Sequence, residues 1–282
     1  MKKMLTPKIR YALFIVCLTL ATLSIGIVSA AKTGSLTLKY TIKSEGEKIG
    51  VVTHRLFQND NGHSFAEYSH INASGWWGKI DISSSLLEEF DGVNEFNSAD
   101  SKTLDGHTSY WSKIKQNKNG LWGSYAEIKD TTDQESEGLT DLSAAITDAR
   151  ELNLGEMLSI SRDIFKNRTI QPEGVQFTRQ DFDTTDTNLP FFIQSFGSKP
   201  LPHKLRLLDT DNLKISETNI VDLGYEIISI GNKKTRSRHL KLSGSKYKPS
   251  HIWIKDTDTD LPYMVRFVGE DEDGPFEIKL SQ

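Results

Sequence analysis

Alternation of apolar and polar residues with a period of two constrains this chain more than any other feature. In SLTLKYTIK, Leu36, Leu38, Tyr40 and Ile42 fall on one face and Ser35, Thr37, Lys39 and Thr41 on the other. That period fits a half-buried strand and excludes an amphipathic helix. SEGEKIG follows as a turn, and IGVVTHRLF returns as a second strand. QNDNGH, with Asn61-Gly62 a strong hairpin signal, leads into SFAEYSHINAS. KIDISS and NEFNS read as further short strands, and TSYWSKI pairs with LWGSYAEI across KQNKNG. The C-terminal part repeats the pattern. KLRLLD turns at TDN into LKISETNI, YEIISI turns at GNKK into TRSRHLKLSG, HIWIKD turns at TDTD into LPYMVRFVG, and EDEDG leads to PFEIKL. Strands joined by tight polar turns predict a mainly β chain, an antiparallel meander forming one large curved sheet.

The middle of the chain departs from this period. LTDLSAAITDARELNLGEMLSISRDIF spaces Leu139, Leu142, Ile146, Ala149 and Leu152 at three- and four-residue steps, as one helical face requires. Gly155 stops that face, and Met157, Ile160 and Ile164 begin another. A helical insert near 139–166 is expected, covering the concave face of the sheet. The stretch RQDFDTTDTNLPFFIQSFGSKPLP reads as a long connection back to the sheet.

Residues 1–30 read as a signal peptide. MKKMLTPKIR carries four cations and no acid, an apolar stretch follows, and VSA offers small residues before Ala31. The apolar stretch approaches a bilayer-spanning length, so an uncleaved anchor is the alternative. Either way residues 31–282 are expected outside the inner membrane, in the periplasm, as a single β domain. Cys17, the only cysteine, lies inside the apolar stretch, so no disulfide framework is available to the rest. The formal net charge is −4, and losing Lys2, Lys3, Lys8 and Arg10 makes the remainder more acidic. That balance argues against a nucleic-acid partner. Membrane contact is expected only through an uncleaved signal or transient docking.

Chemical signatures are sparse. Asp256, Asp258 and Asp260 alternate as in a calcium loop, but Leu261 stands where Gly is needed and Phe267 where the bidentate Glu is needed. The segment fits a solvated hairpin tip better. Seven histidines are scattered without metal-ligand spacing, although His54 and His70 stand on strands that can face each other. Ser112-Lys-Ile-Lys115 and Ser243-Gly-Ser-Lys246 match Ser-x-x-Lys without its companion motifs, and no Gly-x-Ser-x-Gly elbow occurs. Glu88, Glu89 and Asp91 resemble a solvated acidic face more than a glycosidase pair. Neither a metal nor a cofactor is expected. Trp76-Trp77 reads as a core plug or the lip of a binding surface. GNKKTRSRH is basic within an acidic chain, and strand register sets Arg236 and Arg238 on the face of Leu240 and Leu242. Such a strip suits an anionic head group beside an acyl chain, or an edge strand guarded by charge.

The C-terminal run KLRLLDTDNLKISETNI, YEIISIGNKK and RHLKLSGSKYKPSHIWIKDTDTDLPYMVRFVGE, closing on FEIKL, resembles an exported Gram-negative family of domains of unknown function. The opening YTIKSEGEKIG is similar to that family's start. The resemblance implies the LolA-like class of lipoprotein and lipid carriers, a half-barrel with helices closing its concave side. It carries no catalytic residues. The leading expectation is therefore a non-enzymatic periplasmic protein holding an apolar or lipid-like ligand on the concave face, lined by Tyr40, Ile42, Leu240, Leu242, Tyr263, Val265 and Phe267, with Arg236 and Arg238 at an anionic head group. The same lining residues suit plain core. An envelope structural or protein-interaction module is the alternative, favoured by a filled core and a long unpaired apolar strand edge. A hydrolase is the third reading, and requires at least two of His54, His70, His107, Ser109, Glu88 and Asp91 in one cleft.

Overall fold

The computed structural model of the chain describes residues 34–59, 62–75, 78–92, 95–106, 108–118, 120–129, 173–244, 248–255, 261–270 and 274–281. The N-terminal apolar stretch, the expected helices of 139–166, His107, Trp76-Trp77 and the aspartates of 256–260 lie outside them. The described chain is mainly β. Its strands are β1 (Gly34–Ser44), β2 (Glu47–Asn59), β3 (Gly62–Gly75), β4 (Gly78–Asp91), β5 (Glu95–Asp105), β6 (Thr108–Asn117), β7 (Gly120–Lys129), β8 (Glu173–Phe177), β9 (Thr184–Thr185), β10 (Lys204–Asp209), β11 (Lys214–Ile230), β12 (Lys233–Gly244), β13 (Ser250–Lys255), β14 (Met264–Glu270) and β15 (Pro275–Leu280).

All of these strands join in one sheet, in the order β8-β7-β6-β5-β4-β3-β2-β1-β15-β14-β13-β12-β11-β10-β9. Sequence neighbours pair antiparallel, except that β9 runs parallel to β10 and that β8 and β9 stand at the two opposite edges. Two meanders are thus welded at the middle, where β1 pairs with β15 through Tyr40↔Leu280 and Ile42↔Ile278. The hairpins at GNKK and across KQNKNG form as their turn residues require. One difference concerns β4 and β5, which run well beyond KIDISS and NEFNS. SSLLEEF continues β4 because Leu86, Glu88 and Phe90 all point into the interior.

The sheet is open but tightly curled. Its two edge strands stand fourteen positions apart in strand order, which in a flat sheet is about 67 Å at ~4.8 Å per strand. Yet β8 ends at Phe177 and β9 begins at Thr184, and that much chain spans at most about 25 Å. Only curvature close to closure brings the edges within reach.

The concave face holds one continuous core drawn from both meanders, including Tyr40, Ile42, Leu56, Phe65, Leu86, Ile114, Leu121, Leu208, Leu240, Leu242, Ile252, Phe267 and Ile278. The stretch expected to be a bare connection contains a short helix, α1 (Leu189–Ser195), with Pro190 in its first turn. It buries Phe191, whose ring stacks on His63 at 4.2 Å while His63 stacks on Phe90 at 4.6 Å. Phe182, just upstream, meets Phe96 edge-on at 6.0 Å. The segment from β8 to β10 therefore plugs one end of the curl.

Candidate functional site

Two polar assemblies stand out, one inside the curl and one on its convex side. Inside, register sets His54 of β2 directly opposite Glu67 of β3, and Phe65 opposite Glu88 of β4. His54, Glu67 and Glu88 thus climb obliquely across three strands. Each side chain is about 1 % exposed. His54 Nε2 lies 3.0 Å from Glu67 Oε2, but the pair falls short of hydrogen-bond alignment. Tyr40 and Phe65 flank the imidazole at 4.7 and 5.0 Å between ring centres.

Facing these strands are the far edge of the sheet and its plug. Thr185 and Thr187 donate their hydroxyls to Glu88 Oε2, and Thr210 donates to Oε1 at 2.9 Å. Thr210 sits in the β10–β11 turn, which Asp209 shapes by accepting the backbone N–H groups of Asp211 and Asn212 at 3.1 and 3.2 Å. Ser112 of β6 donates to the Thr210 carbonyl, adding a second tie between the meanders. Asn188 Oδ1 meets His63 Nε2 at 3.0 Å.

Burial dominates the electrostatics here. It pushes the Glu88 carboxyl up to about 7, against three threonine hydroxyls that favour its charged form. It also raises Glu67 well above the carboxylate range, helped by the charges of Asp211 and Glu88. Burial lowers His54 to about 3 and His63 to about 4. Both members of the His54–Glu67 pair are therefore driven toward their neutral forms. Two buried charges at 3.0 Å separation are thereby avoided.

On the convex side, the Glu226 carboxylate of β11 takes the indole N–H of Trp253 at 2.9 Å and meets His239 Nδ1 at 2.7 Å. Those two bonds hold Glu226 below its usual range. His239 Nε2 in turn meets His251 Nδ1 at 2.7 Å. With Glu226 ionised, His239 donates to it from Nδ1. Burial and the neighbouring His239 hold His251 below its usual range. His239 stacks on Trp253 at 4.2 Å, and Arg266 lies over the other side of the indole system at 4.9 Å while donating to Glu277. Ile228, Trp253 and Val265 form a small separate apolar cluster beside it.

This cluster anchors a two-stranded arm. β10 pairs with β11 only as far as Asn219, with one further bond from Ile220 N to the His203 carbonyl. β13 pairs with β12 only from Ser237 onward. The β11–β12 ribbon from Val221 to Arg236 therefore runs past its neighbours among the described residues. A bulge at Leu223, with Gly224 at φ +90°, marks where it departs. Beyond the bulge, Tyr225 pairs with Arg238 and Ile227 with Arg236, on the concave side shared by Leu240 and Leu242. The Arg236 guanidinium lies 4.0 Å over the Tyr225 ring. Arg238 is held by Asp222 at 2.6 Å and reaches the Gly197 carbonyl.

The residues singled out in the sequence scatter over these sites. Tyr40, Ile42, Leu240, Leu242 and Phe267 pack into the continuous core. Val265 does not line the concave face. A bulge between Trp253↔Arg266 and Ile254↔Met264 turns it to the convex cluster, and Tyr263 borders both clusters. The basic strip follows strand register as read, with Arg236 and Arg238 in line with Leu240. His54 and His70 do not meet, because His70 pairs with Val51 and contacts Asp81 at 3.0 Å. Glu88 belongs to no solvated face, while its neighbour Glu89 points the other way and accepts from Ser98. Of the hydrolase candidates, His54 and Glu88 approach the same residue, Glu67, in a sealed interior rather than a cleft. Glu67, Thr185, Thr187 and Thr210 were not foreseen. Their one legible signal was a lone acid, Glu67, at an inward position of SFAEYSHINAS.

Comparison of the chain with protein-family models, with curated proteins and with solved structures finds no match in any of the three.

Proposed function

We propose that this chain is a non-enzymatic cell-envelope protein that acts by binding a protein partner through the β11–β12 arm. The observation that carries this is the exposure of the arm. Val221, Leu223, Tyr225 and Ile227 are 50, 47, 46 and 60 % exposed, the four highest values for large apolar side chains among the described residues. An apolar surface held open on a pinned ribbon marks an interaction site. The interior supports the same reading. Most of the side chains suited to line a ligand cavity pack against one another in one core. The perturbed carboxyl and imidazole groups that elsewhere would suggest catalysis are out of reach of a substrate. In this reading the chain is exported to the periplasm, and its curved sheet is a half-barrel of the LolA-like kind, roofed by helices of 139–166.

A carrier of an anionic apolar ligand is the second reading. It is favoured by the register that sets Arg236 and Arg238 in line with Leu240 and Leu242. One experiment separates the two. A photo-crosslinking amino acid at Ile227, in the full chain expressed in its native host, is expected to give protein adducts of discrete size that an equivalent probe at Val51 on β2 does not. Lipid adducts alone move the assignment to the carrier. No adduct at all removes the arm as a working surface.

A further inference from the structure

Resting on that reading, we propose what the arm takes: an extended peptide segment, acidic and apolar in alternation, that adds as a strand to the edge of β11 between Val221 and Ile230. Three observations converge on this occupant. The first is the backbone. Beyond Ile220 no described strand pairs with the outer edge of β11, so its N–H and C=O groups face outward in extended geometry. An incoming strand satisfies them in ladder fashion, as strand-addition sites do.

The second is the missing guard. Sheet edges ordinarily carry lysines or other charges that block pairing. The charges of β11 along this stretch are Asp222 and Glu226, and each is already engaged, Asp222 by Arg238 and Glu226 by Trp253 and His239. What remains at the edge is the apolar series Val221, Leu223, Tyr225 and Ile227. The ribbon is also fixed beforehand, since Ile228 packs on Trp253 and Val265 at its back. A partner strand meets a preformed edge and does not have to order it.

The third is charge. Lys233, Lys234, Arg236 and Arg238 of β12 set four cations against those two engaged carboxylates, in a protein of net charge −4. Lys234, Arg236 and Arg238 share the concave face with Tyr225 and Ile227, so the acidic side chains of an added strand fall on that face near the cations, while its apolar ones fall on the convex face beside Val221 and Ile228. A lipid surface would leave the outward backbone groups without partners. A second copy would bring the same basic ribbon against itself.

The test uses the full chain and a fluorescent ten-residue peptide alternating glutamate with valine, beside a lysine–valine counterpart and vesicles containing anionic phospholipid. The expected result is binding of the glutamate peptide that weakens with salt, falls at least tenfold in Ile227→Glu and in Arg236→Glu, and slows hydrogen exchange at the amides of 221–230. Unaltered circular dichroism and unfolding midpoint in both variants show that they remain folded. Absence of peptide binding, equal binding of the lysine peptide, or indifference to both variants overturns the proposal. So do vesicle binding without peptide binding, and a dimer that Ile227→Glu dissolves, which would name a membrane or a second copy as the occupant. Protein adducts at Ile227 in the host without peptide binding here would leave the interaction surface standing and remove strand addition alone.

Discussion

Glu88 of β4 accepts a hydrogen bond from Thr210 at 2.9 Å, although β4 and β10 stand nine positions apart in the sheet. Laid flat, those strands would be separated by about 43 Å. The bond therefore closes the curl between the two meanders, and the hydroxyls of Thr185 and Thr187 complete the same carboxyl's shell. Glu88→Ala leaves three buried hydroxyls without their acceptor and opens a cavity. A loss of about 3–5 kcal/mol is expected. Glu88→Gln keeps an acceptor oxygen and should lose about 1–2 kcal/mol. Urea unfolding midpoints of the two variants check this, and equal midpoints would mean that the carboxyl closes nothing.

The same carboxyl sets a dependence on pH. Its folded value of about 7 lies above the ordinary value of 4.5, so the folded state holds the proton over a range where the unfolded chain has released it. This contribution is fully present below about pH 4.5 and is lost as pH rises through 7. His54 and His63 act in the opposite sense. Their folded values of about 3 and 4 lie below 6.5, so stability is lost as pH falls below 6.5. Because these slopes overlap, the difference between wild type and Glu88→Gln isolates one of them. The variant should gain on the wild type by up to about 3 kcal/mol between pH 4.5 and 7.5. A difference that stays constant with pH contradicts the assignment.

Gly123 of β7 faces a further contact between the meanders. A Cβ placed there meets the Phe177 ring at 2.9 Å and the Leu213 methyl groups at 3.0 and 3.1 Å. Leu213 has little room to retreat, since it is buried at φ +56° in the β10–β11 turn. Gly123→Ala should therefore destabilise by about 1–3 kcal/mol. Pairing it with Leu213→Ala tests the contact. The double variant is expected to fall short of the sum of the singles, and strict additivity would place the strain elsewhere.

The strands were legible because each pays for one buried face with period-two alternation, and SLTLKYTIK and HIWIKD show it without ambiguity. β4 was only half legible. Its inward positions carry Ser84 and Glu88 beside Leu86 and Phe90, and polar residues inside a curl break the apolar pattern that strand reading depends on. Val265 was misplaced for a related reason: one extra residue at a bulge reverses every later side chain, and MVRFVGE does not announce it. The polar interior was illegible because its parts come from β2, β3, β4, the plug and the β10–β11 turn, and only the curvature of the sheet assembles them. Of the arm, the composition was legible in GNKKTRSRH, but not the early end of β10 that exposes its edge.

Trp253 should govern the order of the arm. Its ring is stacked by His239, its N–H is taken by Glu226, and Ile228 of the ribbon packs against it. Trp253→Ala removes all three contacts, whereas Trp253→Phe keeps an aromatic surface and removes only the donor. Hydrogen exchange should report the difference locally. In Trp253→Ala the amides of 225–230 are expected to exchange at least tenfold faster, because Trp253 is the largest of the apolar side chains at the ribbon's back, with Val265 the other buried one. The amides of Ile42 and Ile278, paired at the weld between β1 and β15, should change much less. Trp253→Phe should fall between wild type and the alanine variant. If exchange instead accelerates evenly over the ribbon and the weld, Trp253 supports the sheet as a whole, and the arm has no separate anchor to lose.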